Sequence, residues 1–223
     1  MESEAAVSEK ENRPEPRDLR PWFQTLDDLP PNVDWKEFFG NDKPVELDIG
    51  CGRGLFTFTA SEANPEINYL GLEIDYKEGR RAASRLLKQD RSNARIVGGD
   101  CRVLLQKMIE PGSVSAAHVY FPDPWWKKRH KKRRLFTDEF VNLLYRVVKP
   151  EGLVHSWTDV EDYFEVISGL MNHDARFANL PQPTEREPTH DMDYQTSFER
   201  KKRKLGLPIY RGLWQRDGVP FPE

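Results

Sequence analysis

Predicted strands and helices alternate along most of the chain, and this alternation limits the fold more than any other feature. Five short apolar runs have the composition of buried strands, at residues 45–49, 69–74, 94–97, 114–121 and 153–158. A segment with helical periodicity follows each run, at residues 55–63, 76–89, 102–109, 137–148 and 160–172. Repeated strand–helix units predict an α/β fold with a mostly parallel sheet and helices on both faces.

The two ends of the chain differ from this regular centre. Two more strands are predicted at residues 176–180 and 209–215, which makes a seven-stranded sheet. The polar, proline-containing connection between them predicts a functional insertion at about residues 182–208. Residues 1–18 are acidic and lack apolar periodicity, so we expect a disordered tail. Residues 19–223 are expected to form a single domain.

Charge is unevenly distributed, although the net charge is only −3. Residues 127–134 are seven Lys or Arg plus His130, and residues 200–204 are five consecutive basic residues. The helix predicted at residues 76–89 also has a basic outer face. A basic strip on an acidic body is typical of a phosphate-binding surface. A solvated face or a nuclear-localisation-like patch is the alternative for such a run.

Glycines cluster where the first predicted strand turns into the first predicted helix, in Asp48-Ile49-Gly50-Cys51-Gly52-Arg53-Gly54. Glycine lets the backbone approach a ligand closely, and open α/β sheets bind ligands at this edge. The spacing is G-x-G-x-G, whereas a dinucleotide fingerprint would have its third glycine at Leu55. A tight turn without a ligand is the alternative for this motif alone.

Acidic residues lie at the ends of three successive predicted strands. Asp48 is in the first strand, Glu73 ends the second, and Asp100 follows the third. Parallel strands end at one edge of a sheet, so these carboxylates should lie close together. Glu73 could accept hydrogen bonds from ribose hydroxyls, and Asp100 could accept one from an adenine amino group. Each acid alone could instead be a helix cap or a solvated loop residue.

An aspartate between two prolines follows the fourth predicted strand, in Pro122-Asp123-Pro124-Trp125. Each proline fixes its own φ and restricts the preceding residue, so the Asp123 carboxylate should be held rigidly at the sheet edge. Trp125 could stack on a base or pack under the loop. The basic run follows directly.

Together these motifs resemble the bacterial tRNA (guanine-N7-)-methyltransferases, which belong to the class I S-adenosylmethionine-dependent methyltransferases. The resemblance spans residues 44–216 and rests on the Asp123 segment with its basic run, on Thr158-Asp159, and on Thr196-Ser197-Phe198-Glu199. It implies a Rossmann-like class I methyltransferase fold. It also implies methyl transfer from S-adenosylmethionine to N7 of a guanine in tRNA, namely the variable-loop guanine at position forty-six.

The resemblance further implies roles for individual residues. The cofactor-binding residues would be Asp48, Gly50, Gly52, Glu73, Asp100 and Asp123. Asp123 would also be the catalytic or guanine-contacting residue. The substrate-binding residues would be Lys127, Asp159, Thr196, Ser197, Phe198 and Glu199. The RNA contacts would be Arg129, His130, Lys131, Lys132, Arg133 and Arg134.

The chemistry of N7 methylation needs little catalytic machinery. N7 has a free lone pair and no proton to lose, so proximity and alignment are the main requirements. We therefore expect Asp123 to accept hydrogen bonds from guanine, or to offset charge on the methylated ring, rather than to act as a general base. The alternatives are a methyltransferase with another substrate, an RNA-binding module without catalysis, and an NAD-dependent oxidoreductase.

Composition limits the compartment and the partners. No apolar run approaches the roughly 18 residues that span a bilayer, and the N-terminal sequence lacks the pattern of a signal peptide. The two cysteines, Cys51 and Cys101, make a disulfide framework implausible, and there is no paired Cys/His set for a metal. We expect a cytoplasmic protein with tRNA as its partner, without a metal or a membrane, as a monomer or a homodimer.

Overall fold

The computed structural model describes residues 18–125, 127–182, 194 and 196–221. Residues 1–17 of the expected tail lie outside the described residues. So do residues 183–193 and 195 of the expected insertion, and Trp126.

The described residues form eight strands and seven α-helices. The strands are β1 (Phe23–Thr25), β2 (Val45–Ile49), β3 (Asn68–Glu73), β4 (Ala94–Gly98), β5 (Val114–Tyr120), β6 (Val148–Thr158), β7 (Phe177–Asn179) and β8 (Tyr210–Arg216). The helices are α1 (Trp35–Phe39), α2 (Leu55–Ala63), α3 (Tyr76–Lys88), α4 (Cys101–Lys107), α5 (Asp138–Val147), α6 (Glu161–His173) and α7 (Ser197–Lys204). A 3-10 helix covers Lys128–Arg133.

All eight strands join one sheet in the order β1-β4-β3-β2-β5-β6-β8-β7. The pairs from β1 to β6 are parallel, and β8 is antiparallel to both β6 and β7. The predicted α/β fold with a mostly parallel sheet is thus confirmed. The carboxyl ends of β2, β3, β4 and β5 meet at one edge, which is where such folds bind ligands.

The predicted count of seven strands was one too low, because β1 was not predicted. This strand is three residues long and pairs with β4 through Phe23 and Ile96. The Phe23 ring covers Gly98, where a Cβ would come within 2.9 Å of it. So short a strand has no alternation of its own and depends on its neighbour for pairing.

Two apolar clusters lie against the sheet. One includes Leu104 of α4, Leu144 of α5 and Ile167 of α6, and the other includes Phe56 of α2 and Leu86 of α3. Burying each such side chain stabilises the fold by about 1.5–3 kcal/mol. The helices therefore cover both faces of the sheet.

Two of the helices that begin at this edge are capped by aspartate side chains. Asp75 caps α3 by accepting from the Lys77 N–H (2.9 Å), and Asp100 caps α4 by accepting from the Arg102 N–H (3.0 Å). Such caps typically stabilise a helix by about 1 kcal/mol. No helix among the described residues has both the length and the apolar character that a bilayer crossing demands.

Candidate functional site

A cavity of about 920 Å³ opens at the carboxyl edge of the central strands. The turn after β2 supplies Gly50 and Gly52 to its lining, and Glu73 comes from the end of β3. Asp100 follows β4, and Asp123 follows β5. The structure therefore brings five of the six predicted cofactor-binding residues to one cavity.

The glycine turn positions the Glu73 carboxylate. Gly50 and Gly52 have φ of 77° and 54°, in the left-handed region that favours glycine. The Gly52 N–H consequently points at Glu73 Oε2 and donates to it at 2.7 Å. The Asp75 N–H donates to Oε1 at 2.8 Å. Each oxygen keeps a further lone-pair direction, so the fixed carboxylate can accept two more hydrogen bonds from a ligand.

Asp48 is the sixth residue, and it is not in the cavity lining. Its side chain is only 3% exposed, and its Oδ2 accepts from the Thr57 hydroxyl at 2.7 Å. Burial raises the pKa of Asp48 to about 6, against the lowering effect of the Thr57 hydrogen bond. Asp48 thus links β2 to α2, the two elements on either side of the glycine turn.

Asp100, in contrast to Asp48, lines the cavity and is hydrogen-bonded to an arginine. Its carboxylate accepts from Arg102 Nε (3.0 Å) and Nη2 (2.8 Å), and these hydrogen bonds lower its pKa. Ile74 and Cys101, which directly follow Glu73 and Asp100, also line the cavity. Ile74 is 69% exposed, which is unusual for a large apolar side chain and offers a surface for a flat ring.

The Asp123 loop is strained and clamped. Phe121 and Trp125 have φ of 52° and 41°, which is uncommon for bulky residues and typical of functional sites. The Phe121 N–H donates to the Trp157 carbonyl at 2.7 Å, and Arg134 Nε donates to the Pro124 carbonyl at 2.7 Å. The exposed Asp123 carboxylate is therefore presented by a loop fixed at both ends.

The basic run divides into two parts. Lys132 and Arg133 line the cavity, and Arg133 also lies 5.1 Å from the centroid of the Trp125 ring. Arg134 is turned inward, over the Tyr163 ring at 5.2 Å. Lys127 and Arg129 are exposed, and Arg129 Nε donates to His130 Nε2 at 3.2 Å. The side chain of Lys131 lies outside the described residues.

Helix α7 brings Ser197 and Phe198 to the cavity. The Phe198 ring stacks on Phe121 at 5.9 Å between centroids. The Thr196 hydroxyl caps the helix by accepting from the Glu199 N–H at 3.0 Å.

Two ion pairs anchor α7, one to β8 and one to the turn between β6 and α6. The buried Glu199 carboxylate lies 3.6 Å from Arg211 of β8, and Lys202 lies 2.5 Å from Asp159. In this structure Asp159, Thr196 and Glu199 therefore hold the helix that carries Ser197 and Phe198.

Several cavity residues carried no recognisable signal in the sequence. Tyr120 and Phe121 stand at the end of β5, and Tyr120 is held from behind by His118, whose Nδ1 lies 2.9 Å from the Tyr120 hydroxyl. Arg53 and Glu78 also line the cavity and form an ion pair at 2.7 Å. Position next to a strand-end acid could have indicated Ile74 and Cys101. Its place inside the glycine motif could have indicated Arg53, whereas nothing local marked Glu78.

The described residues contain no group of three or more His, Cys, Asp or Glu side chains arranged to hold a metal ion. The polar groups of the cavity are carboxylates, backbone amides, guanidinium groups, the Lys132 ammonium and the Ser197 hydroxyl. Such a set suits an organic ligand with hydroxyl and amino groups together with an anionic partner.

Comparison with solved structures shows the fold. The 16S rRNA methyltransferase KamB superposes with a TM-score of 0.60 at 14% identity, over 82% of this chain and 92% of that chain. The aminoglycoside resistance methyltransferase NpmB1 superposes with a TM-score of 0.54 at 14% identity, over 81% and 91%. Both are methyltransferases, and at this identity the likeness concerns the architecture alone.

Comparison of sequences is more specific. The Methyltransf_4 family of methyltransferases matches residues 42–212. A tRNA (guanine-N(7)-)-methyltransferase of Rhodopirellula baltica is 45% identical over 205 residues, or 89% of this chain and 76% of that protein. One of Listeria monocytogenes is 37% identical over 184 residues, or 79% and 82%. The chain therefore belongs to the tRNA (guanine-N7-)-methyltransferase family.

Proposed function

We propose that this chain transfers a methyl group from S-adenosylmethionine to N7 of a guanine in tRNA. The guanine is the variable-loop base at position forty-six, as the family resemblance implies. The observation that carries the proposal is one cavity lined by both Glu73 and Asp123, with Lys132 and Arg133 also in its lining. The cavity can therefore hold a cofactor and a base next to an RNA backbone.

The residues present fit S-adenosylmethionine. A cavity of about 920 Å³ is within the range of small-molecule sites. Glu73 would accept from the ribose hydroxyls, the exposed Ile74 side chain would pack on the adenine, and Asp100 would accept from its amino group. The Gly50 and Gly52 backbone would lie against the rest of the cofactor. Asp48 would act from beneath, by keeping the glycine turn in place.

Methylation of guanine N7 requires alignment of the two reactants more than proton transfer. When bound, S-adenosylmethionine supplies a methyl group activated by its sulfonium. Guanine N7 gives its lone pair to the methyl carbon, so that the C–N bond forms as the S–C bond breaks. N7 carries no proton, and the positive charge passes to the guanine ring. The chain therefore needs to hold the ring and to offset that charge.

Asp123 is the residue best placed for this work. Its carboxylate is exposed at the cavity and fixed by a clamped loop. As an acceptor it matches the guanine N1–H and amino group, which are both donors. Phe198, which is 59% exposed, is available to contact the base. Lys127, Arg129, His130, Lys132 and Arg133 would contact the phosphates nearby.

A direct test is to incubate the purified protein with bulk tRNA and labelled S-adenosylmethionine. The modified nucleotide is then mapped by borohydride–aniline cleavage, which breaks the chain at 7-methylguanosine. Label and cleavage at the variable-loop guanine are expected. A tRNA transcript with adenine at position forty-six is the matched control and should take up no label.

Two results would contradict the proposal. Label in another nucleotide would place the protein among methyltransferases with a different target. Calorimetry that detected no binding of S-adenosylmethionine would favour an RNA-binding module without catalysis.

A further inference from the structure

A row of hydrogen-bonded polar side chains lies behind the cavity and has no part in the chemistry described above. It consists of Glu46 on β2 with His118 and Tyr120 on β5, and Tyr120 lines the cavity. His118 Nε2 lies 2.8 Å from Glu46 Oε2, and His118 Nδ1 lies 2.9 Å from the Tyr120 hydroxyl. Both are hydrogen-bond distances, so the row is continuous from β2 to the cavity.

The direction of each hydrogen bond follows from the groups available. The Glu46 carboxylate can only accept, so the His118 Nε2–H donates to it. In a neutral imidazole the other nitrogen, Nδ1, is an acceptor, and the Tyr120 O–H donates to it. The two hydrogen bonds thus hold the Tyr120 hydroxyl in one orientation.

Aromatic rings pack on the same row. Phe56 of α2 lies 4.5 Å from His118 and 5.0 Å from Tyr120 between ring centroids. On β6, His155 stacks on His118 at 4.7 Å, and Trp157 lies 4.8 Å from Tyr120. Ring pairs at such separations attract each other. Tyr120 is therefore held both through its hydroxyl and through its ring.

Stability alone does not require polar side chains at these positions. His118 and Tyr120 are buried, and a buried hydrogen bond adds little net stability because its groups lose hydrogen bonds to water. Apolar side chains of similar shape can replace both partners of such a bond at little cost. A fully paired buried network, however, fixes a single arrangement of its side chains. This row is thus suited to holding a side chain in a defined position.

The end of β5 carries the Asp123 loop. Phe121 directly follows Tyr120, has φ of 52°, and donates its N–H to the Trp157 carbonyl at 2.7 Å. Tyr120 and Trp157, which pack on each other, therefore form the base from which the loop leaves the sheet. Pro122 fixes its own φ, so a shift at the strand end is passed on to Asp123.

We propose that Glu46, His118 and Tyr120 are positioning residues for the methyl transfer, which hold the end of β5 so that the Asp123 carboxylate meets the guanine. This proposal rests on the proposed function, in which Asp123 aligns the base. The row would act on the rate of transfer and not on the affinity for S-adenosylmethionine.

The main test is Tyr120→Phe, which keeps the ring and removes only the hydroxyl. The single-turnover rate at saturating tRNA and S-adenosylmethionine should fall about ten- to a hundredfold, the scale of loss for a misplacement of about 1 Å. Calorimetry should show an unchanged affinity for S-adenosylmethionine, which also checks the fold. Tyr145→Phe is the matched control and should keep the wild-type rate, because Tyr145 lies in the other apolar cluster and outside the cavity lining.

Variants of Glu46 separate the hydrogen bonds from packing. Glu46→Gln keeps an oxygen that accepts from His118 and should keep the rate, whereas Glu46→Leu cannot accept and should resemble Tyr120→Phe. The double variant Glu46→Leu/Tyr120→Phe should be no slower than the slower single variant, because both changes break one row. Losses that multiply would mean that the two residues act independently, and would overturn the proposal.

A spectroscopic measurement reports on the loop without methyl transfer. Fluorotryptophan at Trp125, in the Asp123 loop, gives a fluorine resonance that is assigned by its loss in Trp125→Phe. This resonance should shift or broaden in Tyr120→Phe and stay as in the wild type in Tyr145→Phe. A reduced rate with an unmoved resonance would overturn the positioning of the loop.

The outcomes also separate this proposal from the proposed function. A wild-type protein that methylates tRNA, with Tyr120→Phe equally fast, would overturn this proposal alone. Failure of the wild-type protein to methylate tRNA would contradict the proposed function itself, and the fluorine resonance would still report whether the row holds the loop.

Discussion

Carboxylates at one edge of the sheet are held in very different environments. Glu73 is fixed by two backbone amides at 2.7 and 2.8 Å, Asp48 is buried on a threonine hydroxyl, and Asp123 is exposed on a clamped loop. The surroundings of each carboxylate, rather than its residue type, therefore determine what it can bind.

Glu73→Ala should weaken the binding of S-adenosylmethionine by about 1.5–3 kcal/mol, the range for hydrogen bonds to a charged group. Isothermal titration calorimetry measures the change. Glu66→Ala is the matched control, because the Glu66 side chain is 83% exposed and outside the cavity. Equal affinities of the two variants would remove Glu73 from the cofactor site.

Asp48→Asn should change how stability depends on pH. The pKa of Asp48 in the fold is raised to about 6, so its protonated form is favoured there. Its contribution is thus fully present below the unfolded pKa of about 3.9 and is lost as the pH rises through about 6. The loss is of the order of 3 kcal/mol. Asparagine does not titrate, so the variant should gain stability relative to wild type across this window.

Urea denaturation between pH 4 and 7.5 measures that difference. Burial lowers the pKa of His155 to about 3, which acts in the opposite direction over part of the range. Since both proteins contain His155, its effect cancels in the comparison. A difference that stays constant with pH would show that Asp48 does not titrate in this window.

Asp123→Asn should severely reduce the single-turnover rate while leaving the affinity for S-adenosylmethionine nearly unchanged. The amide oxygen could still accept from one guanine donor, but the amide nitrogen would face the other donor and leave it unpaired, at about 1–3 kcal/mol. N7 has no proton to lose, so the wild-type rate should be flat from about pH 6 to 8. An asparagine variant with near-normal rate would rule out the positioning role. A tenfold rise per pH unit would instead indicate a general base.

At the scale of elements, packing between neighbours decides what each one can do. The family resemblance implies that Asp159 and Thr196 to Glu199 bind substrate. In the structure Thr196 caps α7, while Glu199 and Asp159 pair with Arg211 and Lys202. The exposed Ser197 and Phe198 face the cavity. These anchoring contacts hold α7 in place along one side of the cavity.

The contact of the glycine turn with α3 offers a prediction at this scale. A Cβ on Gly54 would lie 2.7 Å from the Ala82 Cβ, and its φ is +64°. Gly54→Ala should therefore destabilise the fold by about 2–5 kcal/mol, through overpacking and left-handed strain together. Gly52→Ala has a similar φ of +54° and open space around it, so it should lose only about 1–2 kcal/mol. Urea denaturation compares them, and equal losses would show that the contact with Ala82 is unimportant.

At the scale of the whole molecule, the distribution of charge matters more than its sum. The net charge is −3, yet four basic residues stand in the lining of the cavity, and two of them, Lys132 and Arg133, belong to the basic run. Lys132→Gln/Arg133→Gln should weaken tRNA binding and lower the log–log salt slope by roughly two units. Affinity for S-adenosylmethionine should be unaffected. A slope equal to that of the wild type would mean that these two side chains are merely solvated.

The sequence by itself determined the architecture and much of the cavity. Strand–helix alternation is a local pattern, and each strand-end acid is covalently next to its strand, so parallel pairing was enough to place Glu73, Asp100 and Asp123 together. The family could also be recognised from the sequence, because its motifs are short and contiguous.

Only the tertiary structure decided the rest. Strand β1 forms by pairing with β4, which lies more than seventy residues away in the chain. Its three residues are too few to show an alternating pattern that predicts a strand. The burial of Asp48 and the inward turn of Arg134 likewise depend on which elements become neighbours. Such contacts join residues far apart in the chain, and no local periodicity encodes them.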